Sequence, residues 1–160
     1  MSRTLQAPVT VSFDYTRSTG PVVGRFFTGL RDGVVVGGRT SEGKVAVPPL
    51  EFDPVTHQAT TDFVEVSSVG TVTSWTWVPE PVKAQPFDRP FAFALVTLDG
   101  ADIAVLHLIL GVPADEVRMG MRVKAVWKPK DEWTFSLENI DHFAPTGDPD
   151  AEYDTYKQHL

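Results

Sequence analysis

Cysteine is absent from the 160 residues, which excludes disulfides, thiolate nucleophiles, cysteine-ligated zinc and iron–sulfur clusters. Such a chain suits a reducing compartment, and a cytoplasmic location is the expectation. Long apolar runs are also missing. The stretch from Ile103 to Val112 is interrupted by His107 and is too short to span a bilayer. Met1 to Gln6 show no positive segment leading into an apolar one, so no signal peptide is expected. Basic side chains are scarce, 14 Lys and Arg against 21 Asp and Glu for a net charge of −7, and this balance disfavours a phosphate backbone as partner. His57, His107, His142 and His159 are dispersed and form no His-x-x-x-His or acidic metal loop. No serine stands in a nucleophile elbow. Glu51 with Asp53, and Asp115 with Glu116, read as solvated loop carboxylates rather than an acid/base pair. Gly24 and Gly29 fall inside a predicted helix, outside any phosphate cradle. The expectation is a chain with no catalytic residues, metal or cofactor, and no complete active site of its own.

What is present suffices for a core. An apolar fraction of 42% over this length predicts one compact domain with small appendages. Four segments are expected: 1–33, an extension and docking helix; 34–63, a small lobe; 64–145, a barrel; 146–160, an acidic tail. In the first, Val23, Phe26, Phe27 and Leu30 recur at three- and four-residue steps, predicting a short amphipathic helix. Ser18 or Thr19 would cap it, Pro21 would sit in its first turn and Gly33 would stop it. Gly24 and Gly29 each weaken an isolated helix by about 1 kcal/mol, so docking of the apolar face must hold it.

The second segment is dense in turn signals, among them Gly37-Gly38, Ser41-Glu42-Gly43-Lys44, Pro48-Pro49 and Asp53-Pro54. It predicts a miniature hairpin lobe. The third is mainly β. Strands are expected over Val64 to Trp77, Phe91 to Leu98, Ile103 to Leu110, Met121 to Trp127 and Trp133 to Leu137, with a hairpin turn at Asp99-Gly100-Ala101-Asp102. Five such regions suit a small OB-like barrel, whose closure limits exposed edges. Pro113 to Val117 would make one helical turn. In the tail, Tyr153 and Tyr156 leave a docking turn and a mobile end both open.

The aromatic residues make the case for binding. Trp75 with Trp77, and Phe91 with Phe93, have the spacing to share a strand face, which could stack a base or adenine or could fill the barrel. Arg122, Lys124 and Lys128 would form a stripe if one strand runs through Lys128, although a hydrated face explains them as well. The barrel region is net acidic, so an OB-fold nucleic-acid-binding protein is only an alternative.

From Arg25-Phe26-Phe27-Thr28-Gly29-Leu30-Arg31-Asp32-Gly33 onward, through Pro48-Pro49, Gly70-Thr71-Val72-Thr73-Ser74-Trp75, Arg89-Pro90-Phe91-Ala92-Phe93-Ala94-Leu95 and Gly120-Met121-Arg122-Val123-Lys124, the chain resembles the acyl-CoA-associated OB-fold accessory proteins. These accompany thiolase-like enzymes and steroid side-chain hydratases and aldolases. The resemblance implies a mainly β fold: an OB-like five-stranded barrel preceded by a short helix and a ribbon-like lobe. Relatives carry two cysteine pairs for zinc there; this chain has Gly38 to Lys44 and Pro49 to His57, so a degenerate, metal-free lobe is implied. It further implies a non-catalytic subunit that binds a thiolase-like or aldolase partner acting on acyl-CoA substrates, in steroid or lipid side-chain metabolism. Phe26, Phe27 and Leu30 would meet the partner. Trp75, Trp77, Arg118, Arg122 and Lys124 would contact CoA or another ligand. An independent acyl-CoA-processing enzyme is the remaining alternative.

Overall fold

A computed structural model describes residues 7–159, without the side chain of His159; the readings of Met1–Gln6 as leaderless and of His159 as a dispersed histidine lie outside what it describes. Helix α1 spans Gly20–Arg31 with Pro21 in its first turn, and Val22, Phe26 and Leu30 are its buried residues. Their four-residue spacing draws one apolar line along the helix. Val22, rather than the expected Val23, starts that line. No side chain caps the Thr19 end, and Ser18 Oγ instead accepts from the Gly20 N–H at 3.2 Å. Gly33, at φ +81°, turns the chain out of the helix as expected.

The chain then forms a three-stranded sheet in the order β2-β1-β3, from β1 (Val35–Arg39), β2 (Val45–Ala46) and β3 (Phe63–Val66). α1 packs on β1 at Gly29, where an added Cβ would lie 2.8 Å from the Val36 side chain and 2.9 Å from the Val34 carbonyl. A residue that costs helix stability in isolation is thus the one that lets helix and sheet touch.

Five further strands close a barrel in the order β4-β5-β6-β8-β7: β4 (Val69–Val78), β5 (Phe91–Leu98), β6 (Val105–Ile109), β7 (Arg122–Trp127) and β8 (Ile140–Pro145). All neighbours are antiparallel except β6 and β8, which pair in parallel at Ile109 and Phe143. Period-two alternation sends Ala92, Ala94 and Val96 of β5 inward against Val72, Ile109, Val123 and Phe143, all buried. α1 contributes Phe26 and Leu30 to the same core. Phe63–Val66 pairs with β1 in the small sheet, so the barrel strands start at Val69.

The expected strand at Trp133 to Leu137 is absent, and the fifth barrel strand begins at Ile140. Asn139 explains the change. Its side chain, 1% exposed, accepts from the Thr134 N–H at 2.8 Å and donates to the Thr134 carbonyl at 2.7 Å and the Leu30 carbonyl at 3.1 Å. One amide therefore captures backbone groups that a ladder would need, and fastens the loop to the end of α1. Pro113 to Val117 makes a single turn closed by the Glu116 N–H on the Pro113 carbonyl at 3.1 Å. In the tail, where docking and mobility were both open, the structure shows docking. The Ala151 N–H donates to the Gly120 carbonyl at 2.8 Å, and Tyr156, in the short helix α2 (Tyr153–Tyr156), lies over Gly120, where a Cβ would meet its ring at 2.9 Å. No helix among the described residues is long and apolar enough to cross a membrane.

Candidate functional site

The alternation that fills the barrel places a second apolar set outside it. Phe93 is opposite Leu108 and Leu95 is opposite Leu106 across β5 and β6, while Ser74 and Thr76 flank them on β4. Leu95 is 40% and Leu106 60% exposed. None of these six side chains is charged. A contiguous, uncharged leucine surface facing water is the kind of patch that marks an interaction site. It continues into a cleft of about 470 Å³ where Phe87, Phe93, Leu106 and Leu137 meet Lys128 and Asp141. In an OB barrel this face and its bordering loops are the usual binding side.

His107 points inward from the same strand. It is 7% exposed, its ring meets Phe143 edge-on with centroids 5.3 Å apart, and its Nδ1 has no hydrogen-bond partner among the described residues. Burial lowers its pKa, outweighing the main chain of Leu137 and Leu108, which acts to raise it. Nearby, His142 Nδ1 is held by Asp141 at 2.7 Å. No hydroxyl is hydrogen-bonded to either ring among the described residues, so the arrangement assembles no nucleophile with its base.

The residues marked in the sequence do not converge. Phe26 and Leu30 are 1% and 0% exposed; their reading as partner contacts is corrected, because the apolar line that drives α1 onto the core is used up there. Phe27 is half-buried against Phe26, with centroids 5.5 Å apart. Trp77 packs on the core, whereas Trp75 is 37% exposed. Arg118 grips Asp150 through two nitrogens at 2.6 and 2.7 Å, and Arg122 similarly holds Asp99 while donating to Thr71 Oγ1 at 2.8 Å. These hydrogen bonds raise both guanidinium pKa values. A phosphate at either arginine has to displace a carboxylate. Lys124 is exposed on β7, but the register shifts between Val126 and Trp127 and the strand ends there. Lys128 consequently lines the cleft instead of extending a basic stripe.

The lobe raises the question of a metal. Its two tight turns, Thr40–Lys44 and Asp53–Gln58, are tied by one carboxylate. Asp53 accepts from the Ser41 N–H at 2.6 Å, Ser41 Oγ at 3.0 Å, the Val55 N–H at 2.9 Å, the Thr56 N–H at 2.7 Å and Thr56 Oγ1 at 3.0 Å. Main-chain donation from Ser41 first, then from Thr56, holds its carboxyl well below the usual carboxylate range. With its lone pairs so engaged, Asp53 is no metal ligand, and no group of three or more His, Cys, Asp or Glu among the described residues is placed to hold an ion. The residues do not fit zinc.

The outer leucine face and the roles of Asn139 and Asp53 are not among the features expected from the sequence. The signal for the first was present, since Phe93, Leu95, Leu106 and Leu108 keep strict alternation with the core positions. The Asn139 contact with Leu30 and the Asp53 contact with Ser41 depend on residues brought together by the fold, whereas those of Asn139 with Thr134 and of Asp53 with Val55 and Thr56 are local.

Comparison with known proteins agrees with this architecture. Residues 63–128 match the family described as ChsH2, C-terminal OB-fold domain. A DUF35 domain-containing scaffold protein of Pyrococcus furiosus is 27% identical over 92 residues, 58% of this chain and 67% of that protein. Among solved structures, a chain of the Ltp2-ChsH2(DUF35) aldolase superposes with a TM-score of 0.60 at 21% identity, covering 81% of this chain and 98% of the other. A DUF35 family protein of unknown function from Sulfolobus solfataricus gives 0.58 at 19% identity, covering 79% and 83%. These last two show the fold.

Proposed function

We propose, from the premise that this chain belongs to the OB-fold accessory proteins it resembles, that it is the non-catalytic partner subunit of an aldolase- or thiolase-type enzyme. The observation that carries the reading is the uncharged leucine face on β5 and β6. Burial of each exposed leucine there is worth about 1–2 kcal/mol, and with neighbouring Phe93 and Leu108 they form a cluster of the kind found at the centre of a larger contact. A scaffold relative and an aldolase among the fold matches supply the kind of partner. In the finer form of the proposal the partner acts on acyl-CoA, in lipid or steroid side-chain metabolism in the cytoplasm, and supplies the carbon–carbon chemistry. Phe27, Trp75 and Lys124 are then the accessible members of the contact set implied by the resemblance. The nucleic-acid alternative fits poorly, since the OB binding face carries leucines instead of stacking rings among cations.

The test is a titration of an aldolase- or thiolase-type enzyme from the same source with this chain and with Leu95→Asp/Leu106→Asp. The wild type should bind and raise turnover of an acyl-CoA substrate, and the variant should bind at least about 100-fold more weakly with an unchanged circular dichroism spectrum. Equal binding by the two proteins removes the face from the account.

A further inference from the structure

Ahead of α1 the chain carries an exposed segment that pairs with no strand among the described residues. Every residue from Ala7 to Thr19 is exposed. Within it Val9, Val11, Phe13 and Tyr15 are 82%, 81%, 77% and 78% exposed. They alternate with Thr10, Ser12, Asp14 and Thr16 in a period of two, and the rings of Phe13 and Tyr15 stand side by side with centroids 6.2 Å apart. This is the pattern of a β-strand with one apolar face, yet the segment belongs to no sheet.

The body offers few places for such a strand. The barrel is closed and has no edge. The outer side of β2 is occupied by Asp102, whose carboxylate accepts from the Val45 N–H at 2.7 Å and whose own N–H donates to the Val45 carbonyl at 2.8 Å. β3 differs, because among the described residues it pairs only with β1. The Arg39 N–H donates to the Asp62 carbonyl at 2.9 Å in the same register, so by antiparallel alternation Phe63 and Glu65 turn their N–H and C=O groups to the open side. Along this edge runs a groove of about 620 Å³ between β3 and α1, walled by Phe63, Val64, Val36 and Phe135, with the Arg25 guanidinium 4.6 Å over the Phe63 ring, and reaching Thr19 and Pro21, where the arm joins the helix.

The chain therefore holds a strand without a sheet and an edge without a strand. We propose that two copies exchange arms: Val9–Tyr15 of each adds to β3 of the other as a fourth strand, with the apolar side chains in the α1–β3 groove. Exchange is favoured over closure on the same chain because the arm stands clear of the groove it is joined to. Reciprocal exchange satisfies both edges under one two-fold axis. The surface used shares no residue with the leucine face, so the proposal stands independently of the enzyme partner.

The lack of cysteine makes the test clean. The full chain is weighed by light scattering beside Val11→Asp/Phe13→Asp, and Val11→Cys protein is mixed with Glu65→Cys protein under mild oxidation. Arm exchange predicts a dimer for the full chain, half that mass for the arm variant, and a disulfide-linked heterodimer in the mixture. It also predicts that Leu95→Asp/Leu106→Asp stays dimeric. A monomeric full chain, a dimer indifferent to the arm substitutions, or a Val11→Cys/Glu65→Cys double variant that crosslinks only within one chain would each overturn the proposal.

Discussion

The barrel and the lobe are held by different physics. The barrel is closed around a single apolar cluster that includes Val72, Val96, Ile109, Val123 and Phe143, and α1 extends that cluster. The lobe is too small for a core. It leaves Phe52 and Val55 62% and 56% exposed, lends Val35 and Val47 to the main cluster, and fixes its two turns with the Asp53 carboxylate. Where a metal cannot be held, a buried anion surrounded by main-chain donors can do the same geometric work. A region stabilised this way depends on one residue and its charge, whereas the barrel distributes its stability over many contacts.

The largest effect expected from breaking this contrast is in the barrel. Phe143→Ala removes a side chain 0% exposed at the β6–β8 junction and should cost about 3–5 kcal/mol, read as a lower denaturation midpoint by fluorescence and by circular dichroism together. In the lobe the response should be local. Asp53→Ala should speed amide exchange at Ser41, Val55 and Thr56 by roughly 10–100-fold and leave β5 and β8 unchanged; slowed or unaltered exchange at those amides would show that the carboxylate is not the tie. The charge can be tested alone. The folded chain holds the Asp53 carboxyl below its unfolded pKa, so its contribution is complete above about pH 4 and is lost as acid titrates the folded group. Lobe protection should be level from pH 7 to about 5 and decline below about 4, and Asp53→Asn should abolish that decline.

The smallest effect concerns His107. Burial depresses its pKa, so the unfolded chain takes up a proton first and wild-type stability should fall as pH drops through about 6.5 towards 5. Because Nδ1 has no partner among the described residues, His107→Leu should change stability at pH 8 by less than about 1 kcal/mol and flatten that slope. A variant with the wild-type slope would place the titration elsewhere.

The barrel was legible in the sequence because alternation and turn residues act locally: the hairpin around Asp99-Gly100 and the strand Phe91–Leu98 appear where expected. Trp133 to Leu137 alternates as a strand would, but Asn139 accepts from the Thr134 N–H and donates to the Thr134 carbonyl, which diverts that backbone from a ladder. Phe26 and Leu30 illustrate a different limit. Periodicity says that a helix face is covered and does not say whether its own chain covers it. Arg118 looked available for a phosphate until the fold brought Asp150 to it across thirty-two positions.

The most direct measurement is the affinity of this chain for an aldolase- or thiolase-type enzyme, compared between wild type and Leu95→Asp/Leu106→Asp, with acyl-CoA turnover followed in the same samples. The account predicts that the wild type binds and activates while the folded variant does neither, and that this chain alone turns over nothing. Turnover of a thioester by the isolated chain, or equal binding by wild type and variant, would contradict it.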